Sequence, residues 1–313
     1  MINDRLYQAL QIRYVKLHFK IMFLDDEILP VNKVSALRGG MGEMLLRANC
    51  IRDRQCSVCD FEEECVVRRT MYSKFKQKPD YVKEGGESIG YVLECENYHT
   101  HFAKGDLLEF QLLLFGSTIV YLNLFLQAFY ALGLQGIGAG NAKFQVLSVT
   151  NTKKKELLSG GSIYMQNYIV QHVGDYVCYR LEQFRRKKAE GRMIFKTPLT
   201  LKYRGEFLQE FEMNALTESV KRRISMMQCY EGIQTDFLDE IPARVPKILC
   251  QEHRFVKVKR YSSRQGDFMF LKGIEGSIQT DGFSEELLCI LLAGELIHIG
   301  KNTSFGFGRY QVR

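Results

Sequence analysis

Four cysteines, Cys50, Cys56, Cys59 and Cys65, follow one another as C-x5-C-x2-C-x5-C. Thiolates at that spacing suffice for a closed tetrahedral metal site, with the C-x2-C pair as its knuckle. Structural zinc is the first expectation, and a [4Fe–4S] cluster uses the same ligand set. Four thiolates leave no open coordination position, so the expected role is to brace an insertion over about residues 50–80 rather than to hydrolyse anything. Reduced, unliganded cysteines in a polar loop are the plain alternative. Cys95, Cys178, Cys229, Cys250 and Cys289 are scattered and read as core residues.

A second chemical feature is the stretch Gly300-Lys-Asn-Thr-Ser-Phe-Gly306-Phe-Gly308-Arg309. Glycines allow backbone N–H groups to turn towards an anion and allow a phosphate to come close, and Lys301 and Arg309 would add charge. A tight helix-to-strand connection needing positive φ accounts for the same glycines. The sequence is neither a P-loop nor the dinucleotide fingerprint. Directly before it stands His298, whose ordinary pKa suits proton transfer near neutrality; its alternative is a helix-end residue facing the helix dipole.

The elements that must position these residues occur twice. Val15, Leu17, Phe19, Ile21 and Phe23 alternate with polar residues as a half-buried strand. A helix follows with Val34, Leu37, Met41, Leu45 and Ala48 on one face, then strands at Tyr91–Leu93 and Leu108–Phe115, and a second helix at Ile119–Leu132. A glycine-rich segment from Ala131 to Val146 closes the block. The second block repeats the order: a strand at Ile194–Tyr203, a helix at Met213–Tyr230 and a hairpin of Phe255–Tyr261 with Phe268–Ile278. Next come a helix capped by Ser284 and a strand at Phe307–Val312. Two β-α-β-β-α-β units make an α+β protein of two tandem ferredoxin-like (RRM-like) domains, the first carrying the cysteine-rich insertion. The polar run Asn151-Thr-Lys-Lys-Lys155 places the boundary between domains 1–152 and 153–313.

Composition is consistent with that reading. The chain has 313 residues, 46% of them hydrophobic, which is ample for two cores. The excess of 43 basic over 36 acidic residues is too small to identify a phosphate partner by itself. The apolar stretch Leu107–Leu134 carries Glu109, Gln111, Asn123 and Gln127 and is split at Gly116-Ser117, so a strand and a core helix are expected rather than a membrane span. With no signal peptide visible in the opening residues and an odd number of cysteines, a cytoplasmic setting with reduced thiols is expected.

The stretch Phe268–Val312, with Gly-Ile-Glu-Gly-Ser-Ile in the hairpin and the glycine-rich ending, resembles the CRISPR-associated (Cas) repeat-RNA endoribonucleases of the RAMP superfamily. Phe195-Lys-Thr-Pro-Leu-Thr-Leu-Lys202, Lys221-Arg-Arg-Ile224 and Arg260-Tyr-Ser-Ser-Arg264 are similar to the same family. The resemblance implies binding of CRISPR repeat RNA, metal-independent cleavage that leaves a 2′,3′-cyclic phosphate and a 5′-hydroxyl, and association with a CRISPR effector complex. A non-catalytic RNA-binding subunit of such a complex is the alternative. Many members place a catalytic histidine after the first helix of the N-terminal domain. This sequence has none between His18 and His99, and the cysteine cluster stands there instead. The catalytic candidates are therefore His298, with Tyr72 and Arg54 beside the cysteines as phenolic and cationic groups. The RNA-binding candidates are Lys257, Lys259, Arg260 and Arg264 on the hairpin. Gly300, Lys301, Gly306, Gly308 and Arg309 in the loop complete that set.

Overall fold

The computed structural model describes residues 3–72, 75, 88–186, 191–233, 238, 245–262 and 267–313. Much of the expected insertion after Tyr72, and Arg264 at the hairpin turn, lie outside the described residues.

The first unit contains helix α1 (Asp4–Ala9), strands β1 (Arg13–Phe23) and β2 (Glu27–Ile28), helices α2 (Val34–Asn49) and α3 (Val66–Met71), and strands β3 (Tyr91–Glu94), β4 (His101–Phe102) and β5 (Leu107–Phe115). It continues through α4 (Leu122–Gln135), β6 (Phe144–Asn151), β7 (Glu156–Ser159), β8 (Ser162–Ile163) and β9 (Gln171–His172). The main sheet runs β3-β5-β1-β6-β7-β8, with β9 pairing β1. Its first four strands have the ferredoxin-like order. Strands β7, β8 and β9 lie beyond the polar run at Asn151–Lys155 and still join this sheet, so the boundary expected at 152/153 falls inside its strand order. The polar run is a turn between β6 and β7: Asn151 Oδ1 accepts the N–H of Lys153 and Lys155 at 2.9 and 3.1 Å.

The second unit contains α5 (Val173–Arg186), β10 (Arg192–Leu199), β11 (Lys202–Tyr203), β12 (Glu206–Phe207), α6 (Met213–Glu231), β13 (Ile248–Ser262), β14 (Asp267–Thr280), α7 (Glu285–Ile297) and β15 (Tyr310–Val312). Its sheet order, β13-β14-β10-β15, repeats the ferredoxin-like pattern. Ser284 caps α7 as expected, accepting the Leu287 N–H at 3.3 Å. The apolar stretch Gly116–Gln135 is long and apolar enough to cross a membrane by composition. Here it forms a 3₁₀ turn and α4, with Phe125, Phe129 and Leu132 in the core of the first unit.

The run Leu112–Phe115 is buried throughout because β5 is covered on both faces. Leu112 and Leu114 pack under α2 and α4, in the first unit's own core. Leu113 and Phe115 join Tyr14, Val92 and the apolar faces of α6 and α7 in a second core that runs across the two units. The face that a single such domain leaves open is therefore partly filled by its neighbour, and the relative orientation of the units is set by close packing.

Candidate functional site

The glycine-rich loop reaches from α7 to β15 and lies on the first unit. Its glycines serve close backbone approach. Gly308 has φ +70°, and a Cβ there would stand 1.8 Å from the Ile299 carbonyl oxygen; one at Gly306 would stand 2.9 Å from the Leu93 carbonyl oxygen in β3. The expected anion donors are committed internally. Gly300 N–H donates to Ser219 Oγ at 3.1 Å, Lys301 N–H to the Thr200 carbonyl at 2.8 Å, Gly306 N–H to Thr303 at 2.9 Å and Gly308 N–H to Pro198 at 2.9 Å. Gly300, Gly306 and Gly308 are thus structural, and of the loop's expected RNA contacts only the Lys301 side chain is exposed. The first unit's glycine-rich loop is occupied by a carboxylate of its own: Glu27 accepts the Gly140 and Ala142 N–H groups at 3.0 and 3.2 Å.

His298 is fully buried, the first departure from the expected catalytic set. It caps α7 with φ +57°. Its Nδ1 lies 3.0 Å from the Phe307 carbonyl and its Nε2 lies 2.9 Å from Glu94 Oε1 in β3. Carbonyl and carboxylate oxygens only accept, so both contacts are hydrogen bonds when the ring carries both protons. Burial pushes the imidazole pKa down, and the Glu94 carboxylate pushes back. Burial would likewise raise the Glu94 pKa, but Lys16 at 3.0 Å, the His298 bond and Arg309 at 3.5 Å outweigh it and hold the carboxyl well below the usual range. Arg309 also pairs with Glu96. His298 and Arg309, expected to face substrate, are instead committed to a contact between the units.

What the loop presents outwards is Phe305. The Arg38 guanidinium of α2 lies over its ring at 4.2 Å, and that of Arg260 in β13 at 4.7 Å. Arg38 Nε also donates to Ser304 Oγ at 3.3 Å. Arg260 Nε is buried without a hydrogen-bond partner. Burial and the nearby Arg38 charge both lower the Arg260 pKa. Among the described residues neither guanidinium has a carboxylate within ion-pair distance. Two like charges held at one aromatic ring without a counter-charge suit a polyanion.

Beyond this cluster the β13–β14 hairpin carries a second surface. The register pairs Lys257 with Lys272, Lys259 with Phe270 and Tyr261 with Phe268, which places all six on one sheet face. All six are exposed, and Lys259 lies over Phe268 at 4.0 Å. Arg260, adjacent in sequence, points the other way, towards α2. The expected hairpin lysines are therefore on an outer face, while Arg260 belongs to the Phe305 cluster. Lys272, Phe270 and Arg38 lie outside what the sequence pattern singles out: in α2 the pattern marks the buried stripe, and β14 completes the hairpin.

Residues 10–173 match the N-terminal domain family AF_1859_N, and residues 193–310 match the CRISPR-associated endoribonuclease Cas6 family. The chain thus belongs to the AF_1859_N family through its first unit, and its second unit matches the Cas6 family. An uncharacterized protein of Archaeoglobus fulgidus is 23% identical over 304 residues, covering 93% of this chain and 95% of that one. Among solved structures, a partial Cas6-RT-Cas1–Cas2 complex superposes with a TM-score of 0.54 at 10% identity, covering 96% of this chain, which spans only 46% of that one. A Cas6 product complex of the Thermus thermophilus protein superposes with a TM-score of 0.51 at 13% identity, covering 95% and 98% of the two chains. These superpositions establish a shared tandem ferredoxin-like fold.

In the first unit, the place after α2 is taken by the cysteine loop. Among the described residues no three His, Cys, Asp or Glu side chains are gathered at metal-binding distance, and the four cysteines lie in a loop and at the start of α3. The four thiols are free; Cys50 Sγ accepts the Arg54 N–H at 3.2 Å, and Cys59 N–H donates to the Cys56 carbonyl at 3.4 Å. The loop lacks apolar packing of its own, with Ile51, Val58 and Phe61 exposed. Arg54, a catalytic candidate, is an exposed residue with φ +66° whose guanidinium pairs with Glu43 of α2. Tyr72 ends α3 and is exposed. Among the described residues no hydrogen bond or ion pair joins either of them to the Phe305 cluster.

Proposed function

We propose that this protein binds CRISPR repeat RNA and cuts the precursor transcript into guide RNAs without a metal ion. The 2′-hydroxyl attacks the adjacent phosphorus, the P–O5′ bond breaks, and the products carry a 2′,3′-cyclic phosphate and a 5′-hydroxyl. The match of residues 193–310 to the Cas6 endoribonuclease family supports the activity. The observation that carries the site is the pair Arg38 and Arg260 at Phe305, without a carboxylate partner.

In this reading the two guanidinium groups bind the scissile phosphate and offset the charge that grows on it as the phosphorane forms. Stabilisation of that kind is commonly worth about 3–4 kcal/mol per well-placed donor. Phe305 fixes both side chains through its ring. The outer hairpin face of Lys257, Lys259 and Lys272, with Phe270, Tyr261 and Phe268, follows the backbone of the repeat stem. With His298 enclosed, catalysis relies on in-line positioning and charge stabilisation.

The test is incubation of purified protein with end-labelled repeat RNA in excess EDTA, followed by analysis of the product ends. One discrete cut leaving a 5′-hydroxyl and a cyclic phosphate supports the proposal. Tight, repeat-specific binding without a cut would establish the passive RNA-binding subunit instead, the reading that the burial of His298 favours.

A further inference from the structure

A carboxylate buried between two domains is costly. Removing an ion of this size from water carries a penalty of several kcal/mol, and well-packed apolar residues in its place are often no less stable. Glu94 is such a group. It is 4% exposed, at the end of β3 in the first unit, and it meets three cationic or ionisable partners from two units: Lys16 of β1, His298 at the end of α7 and Arg309 before β15. Stability alone gives no reason for this arrangement; a requirement for one fixed geometry does.

The geometry it fixes is that of the glycine-rich loop. His298 and Arg309 stand at the two ends of that loop, and both reach the same Glu94 oxygen, Oε1, at 2.9 and 3.5 Å. Between these two anchors the loop turns over β3, with Gly306 against the Leu93 carbonyl, and projects Phe305 between Arg38 of the first unit and Arg260 of the second. His298 also holds the Phe307 carbonyl, two residues from Phe305. A single carboxylate of the first unit thus pins both ends of a second-unit loop.

We infer that Glu94 is a positioning residue, which through His298 and Arg309 sets Phe305 and the two arginines at the geometry that RNA cleavage requires. Neither Glu94 nor His298 touches RNA in this arrangement. The inference rests on the proposed cleavage at the Arg38–Arg260 pair, but the loop geometry itself can be measured without RNA.

The experiment compares wild type, Glu94→Gln and His298→Asn. Glutamine preserves the shape of the side chain and removes its charge. Asparagine tolerates the positive φ at 298 and withdraws the contact with Glu94. Single-turnover cleavage at saturating RNA, RNA affinity, the thermal midpoint, and hydrogen–deuterium exchange of residues 300–309 without RNA are recorded. A misplacement of about 1 Å can cost on the order of 10²-fold in rate. Both variants are expected to cleave about 10- to 100-fold more slowly at saturating RNA. Their affinities are expected to stay within about 3-fold of wild type, with faster exchange confined to the loop and β3. Wild-type rate and exchange in folded Glu94→Gln would overturn the inference, as would a loss appearing only in affinity. Wild-type protein that fails to cut, with loop exchange still accelerated in both variants, would refute the cleavage reading while leaving the interdomain pin in place.

Discussion

Replacing Lys257, Lys259 and Lys272 together by alanine tests whether the outer hairpin face is a phosphate-tracking surface. The three ammonium groups lie on one face of a two-stranded ribbon and are exposed. Among the described residues none has a carboxylate within ion-pair distance. Each lysine that neutralises a phosphate releases condensed counterions, with a slope of log K against log salt near 0.9 per contact on a duplex and near 0.7 on a single strand. Removing three contacts should lower that slope by roughly 2 to 3. Between about 50 and 200 mM salt, the wild type should therefore lose roughly 20- to 40-fold more affinity than the variant. Fluorescence anisotropy with labelled repeat RNA across a salt series measures this directly. Arg254→Ala is the matched control, because its guanidinium already pairs with Glu275 at 2.8 Å and its counter-charge is internal; its slope should change less. An unchanged slope in the triple variant, with folding intact, would refute the assignment of this face to the RNA backbone.

Other expectations follow from the same geometry. Arg260→Lys keeps the charge but loses the planar stacking over Phe305, and single-turnover cleavage should fall at least about 10-fold with a smaller change in affinity; equal rates would remove Arg260 from the reaction. Phe270→Ala should weaken RNA binding by about 1–3 kcal/mol with an unchanged salt slope, because a ring contributes stacking and no counterion release. Glu94 has a depressed pKa in the folded protein, so the stability it contributes is present above its unfolded value of about 4.3 and is lost as pH falls towards the lower folded one. On acidification below about pH 4 the wild-type thermal midpoint should therefore drop more steeply than that of Glu94→Gln, and parallel curves would contradict the buried pairing. Cys56→Ser combined with Cys59→Ser should leave the thermal midpoint and RNA affinity unchanged; one zinc per chain in the wild type, lost in this variant, would show that the loop closes on a metal.

Much of the architecture was readable because it is written in local periodicity. The alternation of Val15, Leu17, Phe19, Ile21 and Phe23 specifies a strand with one buried face wherever it is placed, and β1 forms there. Ser284 followed by two glutamates specifies a helix start, and α7 begins there. The duplicated element order fixed the tandem ferredoxin-like plan. Periodicity also showed that Lys257, Lys259 and Tyr261 share a face.

The site itself was decided by tertiary structure. The sequence offers two reasons for Gly300, Gly306 and Gly308, contact with RNA and a connection needing positive φ, and only the neighbours show a backbone carbonyl packed against each. His298 has the residue type and the place of a general base; burial against Glu94, 204 positions away in the chain, removes it from solvent. The four cysteines have ligand spacing, but spacing only limits how far apart the thiols can be, and whether they close on a metal is a tertiary matter. Arg38, Phe305 and Arg260 come from a helix, a loop and a strand that no local pattern connects. A sequence determines which side chains a strand or helix turns to the same side, because that is a property of the backbone repeat. Whether a charged or reactive group meets water, a partner or a substrate depends on which distant segment packs against it, and in this protein the packing between the two domains makes that choice.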